Sequence, residues 1–370
     1  MLGSPIMVQV LSSYPKVRSK ALNLLALSEK DIFSLVSQLG WPTYRGKQIL
    51  HWLYGRRIHT IDHMTDLSLS DRNQLKHRAT IQRFSSVRSI TAHDGTRKYL
   101  MSLDNGLQVE SVFIPEGRRI TLCLSTQVGC TLDCSFCLTG TMGLQHNLAA
   151  HEIVDQVLTV QDHLTDGERL SSLVLMGMGE PLANINAVME AITRLTHPRW
   201  GVGFSSRHIT LSTAGLAPRM KEIAQLGVNL AISLNAATDE QRNQLMPAVN
   251  HLYPLPVLLK ACHHFPLRVR QRLTFEYVLL AGVNDSPHDA KQVGRLLRGL
   301  RCKINLIPFN EFPGSPYRRP SEETIFLFQS LLRKAGFDVF VRKSRGRDVL
   351  GACGQLGNRS SGPQNISKSM

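Results

Sequence analysis

Three cysteines, Cys130, Cys134 and Cys137, lie close together in the sequence with the spacing Cys-x3-Cys-x2-Cys. No fourth cysteine follows nearby, and no histidine pair stands at the offsets of a zinc finger. Iron–sulfur clusters are held by cysteine thiolates, and a loop this short can bring three of them to one face of a four-iron cluster. One iron would then lack a protein ligand, and substrates bind where a metal has an open position. Two alternatives stay open, namely three ordinary buried cysteines or a zinc site completed from elsewhere.

Two further cysteines stand apart from this loop. Cys123 lies on the first predicted strand, seven residues before Cys130, and Cys353 lies between small residues near the C-terminus. Buried free cysteines are usually inert, and Cys262 and Cys302 are interpreted in that way. An odd number of cysteines, seven, with three in one loop indicates metal and redox chemistry in a reducing compartment rather than a disulfide framework.

The elements that must position these thiols alternate between apolar strand-like runs and helix-like runs, which is typical of βα units on a parallel sheet. The predicted strands are residues 120–125, 171–176, 207–212, 229–234, 272–279 and 303–307. The predicted helices are residues 150–164, 184–195, 216–226, 254–263, 286–299 and 321–335. Six units fall short of the eight of a closed barrel, so the predicted fold is α/β, a partial (β/α)6 TIM-like barrel over 120–356. A last strand is expected at 337–342.

The active site of such a barrel lies at the carboxyl ends of its strands. Polar and glycine residues follow several of the predicted strands there, and they are Gly179, Glu180, Ser212, Ser233, Leu234, Asn235 and Asn310. Glycines let a backbone approach a ligand, Glu180 could bind an ammonium group, and the hydroxyls and amides suit a ribose or an adenine edge. Singly, each of these residues is more often a strand-terminal cap or turn.

Two smaller units precede the barrel. Residues 28–82 predict a helical domain, with Ser28 and Asp31 as a capping box, and with Gly40 and Gly55 ending the first two helices. Its positive residues, Arg45, Lys47, Arg56, Arg57 and His59, favour an accessory RNA-binding role. Residues 83–119 predict a β-hairpin extension, turning at Asn105-Gly106, that places Glu110 on a strand. Residues 1–27 are expected to be a tail or a short leading helix, and 357–370 a disordered tail.

Lys and Arg total 43 against 28 Asp and Glu, a formal net charge of +15. Such an excess indicates a polyanionic partner, with a merely basic surface as the alternative. Lys16, Arg18 and Lys20 interrupt the N-terminal apolar residues, and no run approaches the roughly 18 apolar residues that span a bilayer. We therefore expect a cytoplasmic protein without a membrane segment.

In these cysteines the chain resembles the radical S-adenosylmethionine (SAM) enzymes, whose signature is the spacing of Cys130, Cys134 and Cys137. More closely, it resembles the RlmN-type dual-specificity RNA adenine carbon-2 methyltransferases over residues 28–356. The resemblance rests on Val109-Glu110-Ser111, Ser125 to Gly129, Met176 to Leu182, Arg242 to Pro247, and Ala352 to Leu356.

The resemblance implies a [4Fe-4S] cluster on the three cysteines, two SAM molecules per turnover, and a radical made by reductive cleavage of SAM. It implies that Cys353 takes a methyl group from one SAM and that a radical from the second activates this group for addition to the base. Glu110 would then remove the carbon-2 proton, and Cys123 would form a disulfide with Cys353 that releases the methylated RNA.

For SAM itself, the resemblance implies binding by Gly179, Glu180, Ser212, Ser233, Leu234, Asn235 and Asn310. The family commonly has histidine where this chain has Asn235, which puts the contact of that side chain in question. The implied partners are 23S ribosomal RNA, certain transfer RNAs and an electron donor such as flavodoxin, with the enzyme as a monomer.

Three other functions compete with this one. A carbon-8 adenine methyltransferase of the same family would share the cluster and both off-cluster cysteines. An activase that makes glycyl radicals on a partner protein would leave Cys123, Cys353 and the basic composition unexplained. A non-catalytic, zinc-stabilised RNA-binding protein would use the three cysteines for zinc.

Overall fold

The computed structural model describes residues 8–13 and 21–357 of the chain. Residues 358–370 of the predicted disordered tail, and most of the predicted leading tail before residue 21, lie outside the described residues. Strand β1 (Val8–Ser13) pairs antiparallel with residues 86–90, so the expectation of a tail or a helix is wrong for this segment. The alternation of Val8 and Val10 with polar Gln9 suits an edge strand.

The helical unit at the start of the chain contains α1 (Glu29–Gln38), α2 (Tyr44–Leu50) and α3 (Leu69–Arg78). The predicted capping box is confirmed, since the backbone N–H of Asp31 donates to Ser28 Oγ and that of Ser28 donates to the Asp31 carboxylate. Gly40 follows α1 with a φ of 73°, as a helix-ending glycine does. Two short parallel strands, β2 (Leu22–Asn23) and β3 (Ala79–Thr80), complete the unit.

The second helical run ends at Gly55 as predicted, but Gly55 is not the left-handed residue that follows it. Helix α2 continues as a π-helical turn, His51–Gly55, and the left-handed residue is Arg57, with a φ of 53°. A Cβ at position 55 would lie 2.8 Å from the ring of His51, an exposed side chain that would have to move to make room.

The predicted hairpin extension is an antiparallel array of β4 (Ser86–Thr91), β5 (Arg97–Ser102) and β6 (Gln108–Glu116). Gly106 makes the turn before β6 with a φ of 85°, as the Asn-Gly pair predicted. Strand β6 runs on to Glu116, through the turn expected at 115–117, and pairs with β7 (Arg119–Cys123). The loop after β7 forms a small ribbon of β8 (Gln127–Gly129) and β9 (Leu144–Asn147).

The partial barrel is confirmed, with β7 and six further strands running parallel. These strands are β10 (Ser172–Leu175), β11 (Ile209–Thr213), β12 (Asn229–Ser233), β13 (Leu273–Leu279), β14 (Cys302–Pro308) and β15 (Val339–Val341). In the described residues one sheet of eleven strands has the order β1-β4-β5-β6-β7-β10-β11-β12-β13-β14-β15, and its two ends do not pair. The barrel is therefore open, and its strands continue into the antiparallel array without a break. The domain limits at 82 and 119 stay predictions.

Helices follow the parallel strands as the alternating pattern predicted. They are α4 (Ala150–Asp162), α5 (Ile185–Thr196), α6 (Ala217–Met220), α7 (Asp239–Leu245), α8 (Pro247–Leu252), α9 (Leu255–His263), α10 (Pro287–Leu296) and α11 (Glu322–Lys334). The helix expected over 216–226 is a short α6 followed by a 3-10 segment, Lys221–Leu226. Helices α7 and α8 were not predicted, because each spans fewer than two turns and neither shows a long apolar period.

The helical unit is joined to the barrel by buried charges. Arg83, in the segment that links β3 of the unit to β4, forms an ion pair with Asp155 of α4 and a longer one with Asp162, which Arg57 of the unit also contacts. On α5, the guanidinium of Arg194 donates to the carbonyl of Leu25 at 2.6 Å and to the hydroxyl of Tyr54 at 3.0 Å. These contacts make α4 and α5 a common wall of both units. Within the described part of the chain, the helices are too short or too polar to cross a membrane.

Candidate active site

A cavity at the carboxyl ends of the parallel strands brings together most of the predicted site residues. This strand-end cavity encloses about 1010 Å³ of empty space, including its open mouth. It is lined by the three loop cysteines, the strand-end residues Gly179, Glu180, Ser212, Ser233, Asn235 and Asn310, and Cys353. Leu234 is the exception: it is fully buried, belongs to the main hydrophobic core, and does not line the cavity.

The cysteine loop begins where β8 and β9 meet. Gly129 has a φ of 75°, and a Cβ on it would lie 1.8 Å from the carbonyl oxygen of Gly143. Beyond Gly129, the backbone N–H of Cys130 donates to that same carbonyl at 3.1 Å. Only glycine can therefore occupy position 129 without separating the two strands.

The far side of the loop is fixed by α7, α8 and the segment after β14. The backbone N–H of Ser135 donates to the carbonyl of Leu245, and its hydroxyl lies 2.8 Å from that of Tyr317. The carboxylate of Asp133 accepts from the backbone N–H of Ala248. The loop from Cys130 to Cys137 is therefore fixed by hydrogen bonds near its start, at Cys130, and further along, at Asp133 and Ser135. These bonds orient the three thiols.

The thiol environment fits an iron–sulfur cluster. The backbone N–H of Leu132 donates to Cys130 Sγ at 3.4 Å, and N–H groups of Thr139 and Gly140 face the Cys137 thiol. Burial raises the pKa of Cys130 to about 12 and also raises the pKa of Cys134 and Cys137, so these groups need a bound cation to stay deprotonated. Among the described residues, no three His, Cys, Asp or Glu side chains converge as ligands of one metal ion do. The three thiols line one cavity, as ligands to separate irons of one cluster would.

Gly179 and Glu180 form the wall next to the cysteines. Gly179 has a φ of 97°, and a Cβ there would lie 2.5 Å from Gln127 Cβ. The carboxylate of Glu180 accepts from the backbone N–H groups of Ala214 and Leu182, at 2.7 and 3.0 Å. Burial raises the pKa of Glu180, although these hydrogen bonds act in the opposite direction. The buried carboxylate is oriented toward the cavity, where a cationic ammonium group would keep it ionised.

Asn310 offers a free acceptor to this cavity. Its amide nitrogen donates to the carbonyl of Cys353 at 3.1 Å, while its buried Oδ1 has no partner among the described residues. A buried oxygen without a partner is costly unless a ligand supplies a donor. Asn310 therefore has a geometry suited to an amine or a hydroxyl of a bound cofactor.

Asn235 has a mainly structural environment. It has a φ of 56°, which asparagine tolerates better than most residues, and its carboxamide accepts from Val278 N–H and faces Met246 Sδ. Asn284 donates to its carbonyl at 2.8 Å. The side chain lines the cavity with both of its polar atoms already engaged, so a direct hydrogen bond to a ligand would have to replace one of these contacts.

Cys353 lies in the wall between the strand-end cavity and a second cavity. This second one, here called the basic cavity, encloses about 630 Å³ of empty space including its mouth. It is lined by Ile114, Cys123, Val174, Met176, Ile307, Asn310, Arg342, Lys343, Ser344, Arg345, Gly351, Ala352, Cys353 and Leu356. Cys353 is exposed to solvent within these cavities, whereas Cys123 is buried. The two off-cluster cysteines, far apart in sequence, therefore share one cavity.

Arg342 is a positively charged residue that affects the pKa of both thiols. Burial raises the pKa of Cys123 to about 12 and that of Cys353 to about 11, and the positive charge of Arg342 opposes both shifts. Its guanidinium lies 3.5 Å from Met176 Sδ. Sequence reasoning did not single out Arg342, because its position facing the thiols depends on the pairing of β14 with β15.

Glu110 lies on the same face of the sheet as Cys123. Val112 is paired with Cys123, and Glu110 is two residues before Val112 on β6. The Glu110 carboxylate lies 3.4 Å from Lys98 Nζ and accepts from the backbone N–H of Gly357 at 3.1 Å. Burial raises the pKa of Glu110, which the charge of Lys98 only partly offsets. A carboxylate with a raised pKa is a stronger base than an ordinary glutamate, as a general base requires.

Glu276 is a second residue that sequence reasoning missed. It lines the strand-end cavity from β13, and its Oε2 is buried without a partner among the described residues. Its other oxygen accepts from Asn305 at 3.0 Å. A single acidic residue in the apolar run Leu273–Leu279 was the available signal. Cys262 and Cys302 belong to the main core and line neither cavity, in keeping with their interpretation as inert.

The positive residues of the helical unit are partly used inside the protein. Arg57 and His59 both contact Asp162 of α4, and Arg45 contacts Asp71. Lys47 and Arg56 are exposed. The charge available to an RNA on this unit is therefore smaller than the sequence suggested.

Comparison with known proteins identifies two matching domain families. Residues 124–292 match the model of the radical SAM superfamily, and residues 22–81 match the ribosomal RNA large subunit methyltransferase N-terminal domain. The first match contains the cysteine loop and the walls formed by β10 to β13. The second covers the helical unit.

Curated proteins and a solved structure match nearly the whole chain. A protein named dual-specificity RNA methyltransferase RlmN from Syntrophus aciditrophicus (strain SB) is 46% identical, over 92% of this chain and 97% of its own length. One of the same name from Syntrophobacter fumaroxidans (strain DSM 10017 / MPOB) is 48% identical, over 87% of this chain and 94% of its own. The crystal structure of a radical SAM methyltransferase from Sphaerobacter thermophilus has a TM-score of 0.84 and 41% identity, covering 90% of this chain and 98% of that one.

Proposed function

Because the chain belongs to the RlmN family of radical SAM RNA methyltransferases, we propose that it methylates carbon 2 of an adenine in 23S ribosomal RNA and in certain transfer RNAs. Membership of this enzyme family does not support the non-catalytic zinc alternative. Carbon 2 is favoured over carbon 8 by the matched N-terminal domain and by the Ala352–Leu356 context.

The residues proposed to bind the cofactors line the strand-end cavity. Cys130, Cys134 and Cys137 would hold a [4Fe-4S] cluster, and Glu180 would bind the ammonium group of SAM. The remaining SAM contacts are proposed for Gly179, Ser212, Ser233, Asn235 and Asn310, which line the cavity, and not for Leu234, which does not. When bound, the cluster and SAM supply an electrophilic methyl group and a carbon-centred radical. An electron donor such as flavodoxin would be the reducing partner.

The position of Cys353 is the observation that carries this proposal. Carbon 2 of adenine lies between two ring nitrogens and has no nucleophilic lone pair, so the base cannot displace a methyl group by itself. A thiol that borders both cavities can accept a methyl group on one side and present it to a base on the other. The positive charge of Arg342 favours the thiolate form of Cys353 that such an acceptance needs.

Glu110 and Cys123 are proposed to complete the reaction. Glu110, kept partly protonatable by burial, would take the proton from carbon 2. Cys123 would then attack the Cys353 sulfur, forming a disulfide as the bond between that sulfur and the methylene carbon on the base breaks. The electron pair of the broken bond goes to that carbon, which takes up a proton and becomes the methyl group of the released base. Cys123 lines the basic cavity, and Glu110, which lines neither cavity, lies on the same face of β6 and β7; this shared face supports both roles.

The test is to react the anaerobically reconstituted enzyme with RNA and SAM carrying a labelled methyl group, and to identify the nucleoside by mass spectrometry and NMR. We expect 2-methyladenosine. A methyl group at carbon 8 would contradict the proposal and support the related activity.

The roles of the two thiols are tested by separate variants. Cys353→Ala should lose methylation while keeping its iron, and Cys123→Ala should leave RNA covalently attached to the protein on denaturing gels. The matched control is Cys262→Ala, which removes a buried thiol that lines neither cavity. Full methylation by Cys353→Ala would refute the carrier role.

A further inference from the structure

The two cavities that meet at Cys353 have opposite charge. In the strand-end cavity the charged lining residues are Glu180 and Glu276, with no Lys or Arg among its described lining residues. In the basic cavity they are Arg342, Lys343 and Arg345, with no Asp or Glu in the lining that the structure describes. The acidic side suits a cationic cofactor. The basic side requires an anion.

The cations of the basic cavity are poorly neutralised by the protein. Within residues 8–13 and 21–357, no carboxylate lies within ion-pair distance of Arg342 or Lys343. Arg345 has one distant partner, Asp94, at 3.9 Å. Arg342 is largely surrounded by protein and lies against Met176, and the carboxylates of Glu276 and Glu116 favour its charged form from beyond ion-pair distance. A buried cation without a direct ion pair or a hydrogen-bonding carboxylate can still gain from an anionic ligand that makes such a contact.

Ser344 adds a neutral donor to the same segment. Its Oγ is shielded from solvent and has no hydrogen-bond partner among the described residues. A hydroxyl between cationic neighbours is a common way to bind a phosphate oxygen. The segment Arg342–Arg345 thus presents three positive charges and one hydroxyl within four consecutive residues.

The segment is held in place by the antiparallel array. The carboxylate of Asp94 accepts from the backbone N–H of Gly346, which has a φ of 65°. Asp348 accepts from the backbone N–H of His93, and Lys98 approaches the carbonyl of Leu350. A Cβ at Gly346 would lie 2.7 Å from Thr96 Cγ2, so the two segments are closely packed. The hairpin between β4 and β5 therefore supports the basic segment, which is a preorganised site rather than a loose tail.

We propose that Arg342–Arg345 binds the phosphate adjoining the target nucleotide, so that the base enters the basic cavity beside Cys353. This rests on the proposed function, because it identifies how that site recognises RNA. A phosphodiester is the anion that comes with an adenine in RNA, and backbone contacts fix the register in which a base is presented. The apolar lining of the cavity, from Ile114, Val174 and Ile307, suits the faces of the base.

The first test measures RNA affinity of the cluster-loaded enzyme against salt concentration, with a stem-loop RNA that the enzyme methylates. Lys343→Gln and Arg345→Gln should each weaken binding by about three- to tenfold and reduce the salt slope by about one phosphate contact. The matched control is Arg298→Gln, which removes an exposed cation after α10, next to the amino end of β14. Normal affinity and slope in both basic-cavity variants would overturn the inference.

The second test leaves the protein unchanged. One phosphate at a time, on the 5′ or the 3′ side of the target adenine, is replaced by an uncharged methylphosphonate. We expect a loss of affinity at one of the two positions with wild-type enzyme and a smaller loss with Lys343→Gln, since the two changes remove the same contact. The inference would be overturned if both modified RNAs bound the wild-type enzyme as tightly as unmodified RNA does. It would also be overturned if the loss from the methylphosphonate were as large with Lys343→Gln as with wild-type enzyme, so that the two losses add. The methylated carbon is identified with unmodified RNA. The proposed function is therefore tested independently of this phosphate contact.

Discussion

The carboxylate of Glu110 is enclosed between Lys98 and the backbone N–H of Gly357, and this environment makes a prediction about pH. Burial raises the pKa of Glu110 above its ordinary value of 4.5, and the charge of Lys98 lowers it in part. A general base works in its deprotonated form, so the rate should fall as pH drops through this raised pKa.

Lys98→Met should therefore shift the acid limb of the single-turnover rate to higher pH, because it removes the charge that favours the carboxylate. Glu110→Gln should lower the rate by about 10²- to 10⁴-fold at every pH. Lys30→Met makes the same change in net charge on exposed α1 and should leave the profile unchanged. An acid limb that does not move in Lys98→Met would show that another group titrates.

At this scale the sequence predicted residues whose chemistry is encoded by type and spacing. The three loop cysteines, Glu180 and Asn310 all reach the strand-end cavity. Leu234 does not, because the side chain at the end of β12 points into the core. Arg342 and Glu276 were missed. An arginine or a glutamate in or beside a strand can face the core, the solvent or a cavity, and the pairing with neighbouring strands decides which.

At the scale of elements, the ribbon of β8 and β9 controls the cysteine loop. Gly129→Ala would place a Cβ 1.8 Å from the Gly143 carbonyl oxygen at a left-handed φ. We expect a destabilisation of about 3 kcal/mol, near the upper end for overpacking, together with loss of iron from the purified protein. Thermal unfolding and iron content per chain measure the two effects.

Gly117→Ala is the matched comparison, since Gly117 also has a positive φ, 58°, but an added Cβ would meet no atom within 4 Å. It should cost about 1–2 kcal/mol, the strain of the left-handed conformation alone, and leave iron content unchanged. Equal effects of the two substitutions would show that close approach to Gly143 does not matter.

The predicted elements agree with the structure where a strand is long and apolar and where helices alternate with it. The strands of the barrel and most of its helices are found within a few residues of their predicted limits. The ribbon, α7 and α8 were absent from the prediction, because elements of three to seven residues leave too short a period to recognise. Strand β1 depends on pairing with β4, which no local pattern reveals.

At the scale of the whole molecule, the helical unit and the barrel are joined by buried charge. The side chains of Arg83 and Asp155 are 5% and 4% exposed, and Asp155 also accepts from the backbone N–H of Phe84. Asp155→Asn should lower the free energy of unfolding by about 3–5 kcal/mol, because it leaves the arginine buried without its partner.

Urea unfolding of the full chain measures this change. The control is Asp62→Asn, which breaks the exposed ion pair with Lys76 and should alter stability little. If Asp155→Asn were as stable as the control, the contact between the two units would depend on apolar packing alone.

Net charge indicated an anionic partner but not which of the cations are left without partners inside the protein. The RNA-binding role of the helical unit stays a prediction. Sequence reasoning assigned RNA contact to the helical unit, where Arg45, Arg57 and His59 have partners within the protein. The cations with the fewest partners lie instead beside Cys353. Their exposure depends on tertiary contacts with Asp94 and Asp348, which composition cannot show.

The wall that separates the two cavities also has a consequence for drug design. Met176, Ile307, Asn310, Cys353 and Leu356 border both chambers. A weak electrophile shaped for the basic cavity would alkylate Cys353 without resembling SAM. It would be recognised by Ile114, Val174 and the Arg342–Arg345 segment, none of which lines the strand-end cavity.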